Sequence, residues 1–567
     1  MVTHAPVPVA SAIEPILTAL DPEQRAAATL PDGPAQIIAP AGSGKTTTMV
    51  ARLAVLLTRG VAPERICVVT FNKDAATDLA ARVERRLAAL VSDATSIEIR
   101  TLHALARQVL LDAGEGRNIL ADRLPLLRAA RRRAHTPEDA AVSLEPSKLD
   151  TSLSAWKVEG REPPPDTRPI LEAYADLLRI RGAVDFDDLV VRACELLETD
   201  ARLRLRWQSR FLHVCVDEFQ DVDAAQLRLV RLLAAPEDNL FVVGDDDQTI
   251  YAWRLADVRR ILRFSADYPD ARRVMLATNY RCPPSVIAAS ARMVAANHER
   301  FDKPIRAPAD ARDDVRSISA WNTSRPDWSG GMARLAAVED AAGRSICFLS
   351  RTRGELTPIL LALTHAGVRH ATAIAPLVES ERVVALVDAA RGVETTEHPF
   401  HVLRRLRIGR GWVRDNPAAD SIGDDEHAAL DALMGWTTGF ATLKAFVPAY
   451  DAARARIAAL RDPSAPVELA TVHASKGREW ETVVLIGFES DRIPNRRSLT
   501  DADDPNRALE EERRLAYVAL TRATRQLILA FDPARPSPFL IEMGFRAVSS
   551  ADGPHATPMP GARRQQR

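Results

Sequence analysis

Apolar residues along the chain fall into two patterns: short runs that stop abruptly at polar or glycine-containing segments, and longer stretches with an apolar residue every three or four positions. The first half contains six short runs: AQIIAP (35–40), ICVVTF (66–71), IEIRT (97–101), LHVCVD (212–217), LFVVGD (240–245) and RVMLAT (273–278). Alternating with helical patterns, they predict strands of a parallel sheet covered on both faces. After the second run, KDAATDLAARVERRLAAL puts Leu79, Val83, Leu87 and Leu90 three or four residues apart, one apolar stripe on a helix. A second set of runs follows: SICFLS (345–350), VELATV (467–472), TVVLIGF (482–488) and LILAFD (527–532). Two sets predict two sheets with two cores, an α/β fold, as the 567-residue length also suggests.

Each set is interrupted by an Ala/Arg/Leu-rich stretch of helical pattern, 105–183 in the first and 376–464 in the second. Within the first, EGREPPPDTRP marks an exposed turn, because consecutive prolines cannot continue a helix. From about Val548 the chain is Pro, Gly, Ala and Arg with almost no large apolar residue, so 548–567 is expected to be a disordered, weakly basic tail.

Composition narrows the function less than the pattern does. A formal charge of −1 excludes a surface that is basic all over and leaves room for a basic groove. The five cysteines are scattered, without a C-x-x-C pair for zinc or an iron-sulfur cluster, and read as buried thiols of a reducing cytosol. No apolar run approaches the roughly 20 residues that span a bilayer, so a cytoplasmic location without membrane contact is expected. Arginine supplies most cations; among the few lysines, Lys45, Lys73 and Lys476 fall inside the motifs below.

IIAPAGSGKTTTMVARLAVLL runs from a strand through a glycine-rich turn into an amphipathic helix. Ala41, Gly42, Ser43 and Gly44 can turn backbone N–H groups toward phosphate oxygens at the positive end of that helix. Lys45 is then placed for the terminal phosphates, Thr46 for magnesium, and Thr47 beside them. The pattern G-x-x-x-x-G-K-[ST] is met except at its first glycine, where Ala39 stands. VCVDEFQDVDAAQ drives an apolar strand into Asp217 and Glu218. Beside a phosphate loop, Asp217 can hold magnesium through water and Glu218 can polarise the water that attacks the γ-phosphate.

Ten blocks in order resemble the UvrD/Rep/PcrA group of superfamily 1A DNA helicases: LDPEQRAA, APAGSGKTT, VVTFNKDAATDLAARV, TLHALA, VDFDDLV, VDEFQDVDAAQ, VVGDDDQTIYAWR, NYRCPPSVI, TVHASKGREWETVVL and EEERRLAYVALTRAT. The resemblance implies two RecA-like motor domains, 1A (1–104 and 184–279) and 2A (280–375 and 465–547), with helical insertions 1B-like (105–183) and 2B-like (376–464). It also implies ATP and magnesium as cofactors and motion 3′ to 5′ on single-stranded DNA and at single/double-strand junctions. By resemblance Gln24 reads adenine, Tyr280 stacks on it, Glu479 contacts the ribose, Gln248 senses the γ-phosphate, and Arg281 and Arg522 stabilise charge during phosphoryl transfer.

For DNA the resemblance points to Phe71, Asn72, Lys73, Thr101, His103, Phe186, Tyr251, Trp253 and Arg254, with Thr471, His473 and Lys476 on the second domain. Stacking on aromatics tolerates every base, as a moving motor requires. Taken singly, these aromatics are equally compatible with core packing. Two departures stand out: Leu255 replaces a glycine the family usually has, and the second insertion is short for a full 2B domain, predicting a reduced module. Three alternatives remain: a translocase that strips proteins with little unwinding, a non-hydrolysing DNA-binding scaffold, and RNA as substrate.

Overall fold

The computed structural model describes residues 9–88, 94–134, 146–313, 317–372, 377–413 and 424–545. The expected tail at 548–567 and Leu90 of the predicted stripe lie outside the described residues. The chain divides into two compact units, Met1–Tyr280 with Glu299–Arg306, and Arg281–His298 with Ala307–Arg567. That division departs from the expected boundary at 279/280 in two places. Tyr280 stays with the first unit, where its N–H donates to the Gly42 carbonyl (2.8 Å). Residues 299–306 return to it because Lys303 is buried among its carboxylates.

The first unit holds β1 (Ala35–Ile38), β2 (Ile66–Thr70), β3 (Glu98–Thr101), a minor pair β4 (Asn118–Ile119) and β5 (Ala183–Val184), then β6 (His213–Val216), β7 (Leu240–Gly244) and β8 (Arg272–Met275). Its main sheet runs β3-β2-β6-β7-β1-β8, all parallel. Successive side chains of a strand point to opposite faces. Ile37, Val68, Cys215 and Val243 accordingly enter one core, and Ile38, Val69, Val216 and Val242 enter another. The helix Lys73–Leu87 buries Leu79, Val83 and Leu87 as the stripe requires. Register sets the functional geometry: Ile38 pairs with Gly244, Val69 with Val216 and Val216 with Val242. The segments following β1, β2, β6 and β7 therefore leave the sheet at the same edge, where parallel sheets bind ligands.

The second unit holds β9 (Ile318–Asn322), β10 (Ile346–Ser350), β11 (Ala371–Thr372), β12 (Val467–Thr471), β13 (Trp480–Ile486) and β14 (Ala523–Phe531), in the all-parallel order β11-β12-β10-β13-β14-β9. The α/β expectation with two sheets holds. The apolar pattern did not mark β9 and β11, which form the two edges. All five residues of β9 are half-buried and β11 has two residues, so neither makes an apolar run. The five cysteines are buried thiols. Among the described residues no helix is long and apolar enough to cross a membrane.

Candidate functional site

The turn after β1 is set by Gly42 and Gly44, both left-handed (φ 69° and 81°), a conformation glycine adopts without steric cost. A Cβ on Gly44 would meet Gln24 Nε2 at 2.5 Å. Gly44 caps the helix Lys45–Thr58 without a side-chain hydrogen bond, so no side chain competes for the first N–H groups. The buried Ser43 hydroxyl has no hydrogen-bond partner. An orphaned hydroxyl, a cradle no side chain can fill and a helix start without a side-chain cap together fit a polyphosphate. Thr46 and Thr47 open on a cleft of about 550 Å3 that Arg82, Arg85 and Arg86 also line, cations the sequence reading did not single out.

Gln24 stands on the preceding helix, Pro22–Ala28, as part of a capping box with Asp21, and its Nε2 donates to the Ser43 carbonyl (2.9 Å). Tyr280 donates from its hydroxyl to Asp21 (2.7 Å) and keeps a 52% exposed ring beside the glycine turn 41–44. Gln24, the turn 41–44, Lys45 and Tyr280 are thus brought together on the first unit.

Beyond β6, Lys45 Nζ forms an ion pair with Glu218 (3.0 Å). Glu218 is itself left-handed (φ 51°), a strain that non-glycine residues hold only where the surroundings fix it. Asp217 accepts from the Glu218 N–H (3.0 Å). Gln220, which the block VDEFQDVDAAQ contains but to which the sequence reading gave no role, joins the two halves of the site. Its amide donates to Glu218, and its carbonyl oxygen accepts from the Asp245 N–H (2.9 Å). Asp245 in turn accepts from Gln248 Nε2 (2.6 Å). One hydrogen-bonded chain therefore runs Lys45, Glu218, Gln220, Asp245, Gln248.

Asp245, Asp246 and Asp247 are all buried, with Lys303 in their midst. Burial alone would lower Lys303; the three carboxylates outweigh it and raise the ammonium above its ordinary value. Burial pushes Asp246 up to about 6, against the pull of Lys303. Burial opposes Asp247 as well, but Lys303 and Arg300 prevail and hold it below the usual carboxylate range.

The aromatic candidates gather around the same sheet edge. Phe71 stacks on Tyr251 (centroids 4.8 Å, planes 17° apart), Tyr251 meets Trp253 edge-on (6.3 Å), and Arg254 lies over the Trp253 ring (5.1 Å). His103 meets Phe186 edge-on (5.6 Å). Trp253 is 55% and Phe186 44% exposed, which separates them from core aromatics. A narrow cavity touches Phe71, His103, Asp217 and Glu218 together. Asn72 and Thr101 cap the helices that follow β2 and β3, accepting from Ala75 N (2.8 Å) and Ala104 N (3.2 Å), and Lys73 is exposed at the first position of the former. Leu255, in the position of the missing glycine, keeps a left-handed backbone (φ 63°). The conformation survives although leucine adopts it at a cost of ~1–2 kcal/mol.

In the second unit Arg281 donates to Glu479 (2.6 Å) and reaches the Thr521 carbonyl (3.4 Å). Arg522 is buried and donates to the carbonyls of Val518 (2.9 Å) and Arg478 (3.2 Å). Arg281, Glu479 and Arg522 thus form one cluster. Thr471 ends β12, and half-buried His473 and Lys476 follow in the next turn. Burial, then Arg351 and Lys476, lowers His473 to about 4. Burial also lowers His103, so both imidazoles are neutral at physiological pH.

Residues 20–269 match the UvrD/REP helicase N-terminal domain and residues 443–532 the UvrD-like helicase C-terminal domain. ATP-dependent DNA helicase UvrD2 of Mycobacterium tuberculosis (strain H37Rv) is 30% identical, over 98% of this chain and 85% of its own. ATP-dependent DNA helicase PcrA of Leuconostoc citreum is 26% identical over 91% and 82%, and a probable DNA helicase II homolog of Rickettsia conorii 24% over 91% and 93%.

Proposed function

This chain belongs to the UvrD/REP helicase family, and from that premise we propose that it is an ATP- and magnesium-dependent motor that moves 3′ to 5′ along single-stranded DNA and separates the duplex ahead of it. The observation that carries the reading is the loop after β7, which bears Gln248 at the end of the hydrogen-bonded chain from Lys45 and, three residues on, Tyr251 in the aromatic stack. One short segment thereby joins the phosphate site to a base-stacking shelf.

In this mechanism the N–H groups of the turn 41–44 and the Lys45 ammonium hold the phosphates. Lys45 now faces Glu218, so an arriving γ-phosphate competes for that ammonium and releases the carboxylate to orient the attacking water and accept its proton. Thr46 and Asp217 would hold magnesium, which supplies neutralisation of phosphate charge. Gln24 and Tyr280 position the base. Arg281 and Arg522, clustered with Glu479 on the second unit, stabilise developing charge. Bases stack on Phe71, Tyr251, Trp253 and Phe186, while His103, Thr471, His473, Lys476, Lys73 and Arg254 hold the strand. Asn72 and Thr101 contribute through the helix starts they cap.

Polarity is tested by unwinding of duplexes with a single 3′ or 5′ tail. Separation of the 3′-tailed substrate is expected; separation of the 5′-tailed substrate alone contradicts the direction.

A second reading, a translocase that displaces proteins with little unwinding, is favoured by one feature. A duplex-handling module that moves against its host needs a core of its own, whereas the helices between 381 and 460 share theirs with the second sheet. Strand displacement on bare and protein-coated DNA separates the two readings, since rapid unwinding of long bare duplex opposes the second.

A further inference from the structure

The chain passes between the two units at 280/281, 298/299 and 306/307, so Glu299–Arg306 is a strap of the first unit with second-unit sequence on both sides. The strap is fastened at both ends. Arg300 grips Asp247 with two hydrogen bonds (3.1 and 3.0 Å), and the Phe301 N–H donates to Asp246 (2.8 Å). Arg306 exchanges backbone hydrogen bonds with Ala277 (2.9 Å) and Asn279 (2.8 Å). Between them Lys303, its side chain 1% exposed, places its ammonium 2.8 Å from Asp245 and 2.9 Å from Asp247, and in contact with Asp246. Asp245 is shared: one carboxylate oxygen accepts from Lys303, the other from Gln248. A buried ion cluster of this kind is weak evidence for stability, because well-packed apolar residues often serve as well. The ions here tie the strap to the loop that aims Gln248, through the shared Asp245.

We propose that Lys303 is a positioning residue for energy coupling: through Asp245 it fixes Gln248, and the strap it anchors carries the state of that loop to the chain segments entering the second unit. The proposal rests on the reading of the protein as a DNA-dependent ATPase motor. Lys303→Met leaves three buried carboxylates facing one guanidinium and is apt to unfold. The double variant Lys303→Met/Asp246→Asn keeps the net charge of the cluster and serves as the working test.

Three quantities are compared with wild type: the thermal midpoint, the ratio of DNA-stimulated to basal ATP hydrolysis, and the ATP consumed per nucleotide travelled on single-stranded DNA. With the midpoint near that of wild type, the ratio is expected to fall about tenfold, within the range typical of coupled sites, and the ATP consumed per nucleotide to rise. A ratio and a consumption both within about twofold of wild type overturn the role. A wild-type protein that DNA does not stimulate overturns the motor reading instead, and this inference with it. On the unmodified protein, hydrogen exchange across 299–306 is expected to change when a non-hydrolysable ATP analogue and single-stranded DNA are bound together. Unchanged exchange contradicts the proposal whatever the variants do.

Discussion

Between β4 and β5 the helices Leu124–Arg133, Pro146–Glu159 and Arg168–Ile180 close over a core of their own, built from Leu126, Leu127, Leu153, Ile170, Leu171 and Tyr174. They are tied to the first unit largely by charge. Lys157 pairs with Asp185 (2.9 Å) and Asp188 (2.7 Å), Arg123 and Ser154 reach Asp187, and the Tyr174 hydroxyl donates to Asp185 (2.9 Å). The helices of the other stretch, Glu381–Arg391, Pro399–Gly409, Asp424–Thr437 and Leu443–Leu460, instead put Leu386, Val402, Leu430 and Phe446 into one continuous core with Phe348, Leu469 and Val484 of the second sheet. The first stretch is a module latched by ions, and the second is part of its host. Stability in the one can be lost locally; in the other it is lost with the unit. The latch also has a functional address, because Asp185 caps the helix that begins at Phe186, one of the proposed stacking residues.

The largest effect is expected from Phe446→Ala, a fully buried ring at the joint core. It should cost about 4 kcal/mol and melt the second unit as a whole, seen as loss of exchange protection in β10 and β12 together with the helices. Protection lost from the helices alone would break the contrast. Lys157→Met comes next, because it removes the ammonium paired with buried Asp185 and should cost about 3 kcal/mol. The loss should be confined to 120–180 and weaken single-stranded DNA binding through Phe186, while ATP affinity, measured by titration with a fluorescent analogue, stays near wild type. Leu153→Ala, in the core of the module, should cost about 2 kcal/mol with the same local signature and less effect on DNA.

The smallest effect is on pH. His473 has its folded pKa lowered to about 4 against an ordinary value near 6.5, so its contribution to stability is intact above about 6.5 and is lost as pH falls toward 4. The latch carboxylate Asp185, raised by burial but held below its ordinary range by Lys157, gives way only below about 3.9. Thermal melts of His473→Gln should therefore gain on wild type between pH 6.5 and 4, and equal pH dependence of the two proteins would remove this distinction.

The pattern of apolar runs was enough to read both main parallel sheets except at the edges of the second, and to read both interrupting stretches as helical apart from the two-residue strands β4 and β5 that bracket the first. The edges β9 and β11 escape because ISAWN is interrupted by polar residues and β11 has only two residues, whereas the partly exposed edges β3 and β8 of the first sheet overlap the runs IEIRT and RVMLAT. Residues of the proposed nucleotide site are close in sequence to strand ends, so Lys45, Asp217, Glu218 and Gln248 were visible as motifs. Lys303 was not, and Gln220 lay inside a quoted block without a role, since each acts by bridging to a segment distant in the chain: Gln220 reaches Asp245, 25 positions away, and Lys303 pairs with residues 56 to 58 positions away. Two signals were available, the scarcity of lysine and the accumulation of three adjacent aspartates that burial would require a cation to balance. The difference between the helical stretches was also hidden, because periodicity shows that a helix has an apolar face and not what covers it.

The central claim, that the chain of groups from Lys45 to Gln248 serves DNA-dependent ATP hydrolysis, is tested most directly by steady-state turnover of the wild type and Glu218→Gln with and without single-stranded DNA. Strong stimulation of the wild type by DNA is expected. Turnover of the variant should fall at least ~100-fold, as for removal of a positioned general base, with ATP binding retained. Turnover indifferent to DNA, or a Glu218→Gln protein as active as wild type, would contradict it.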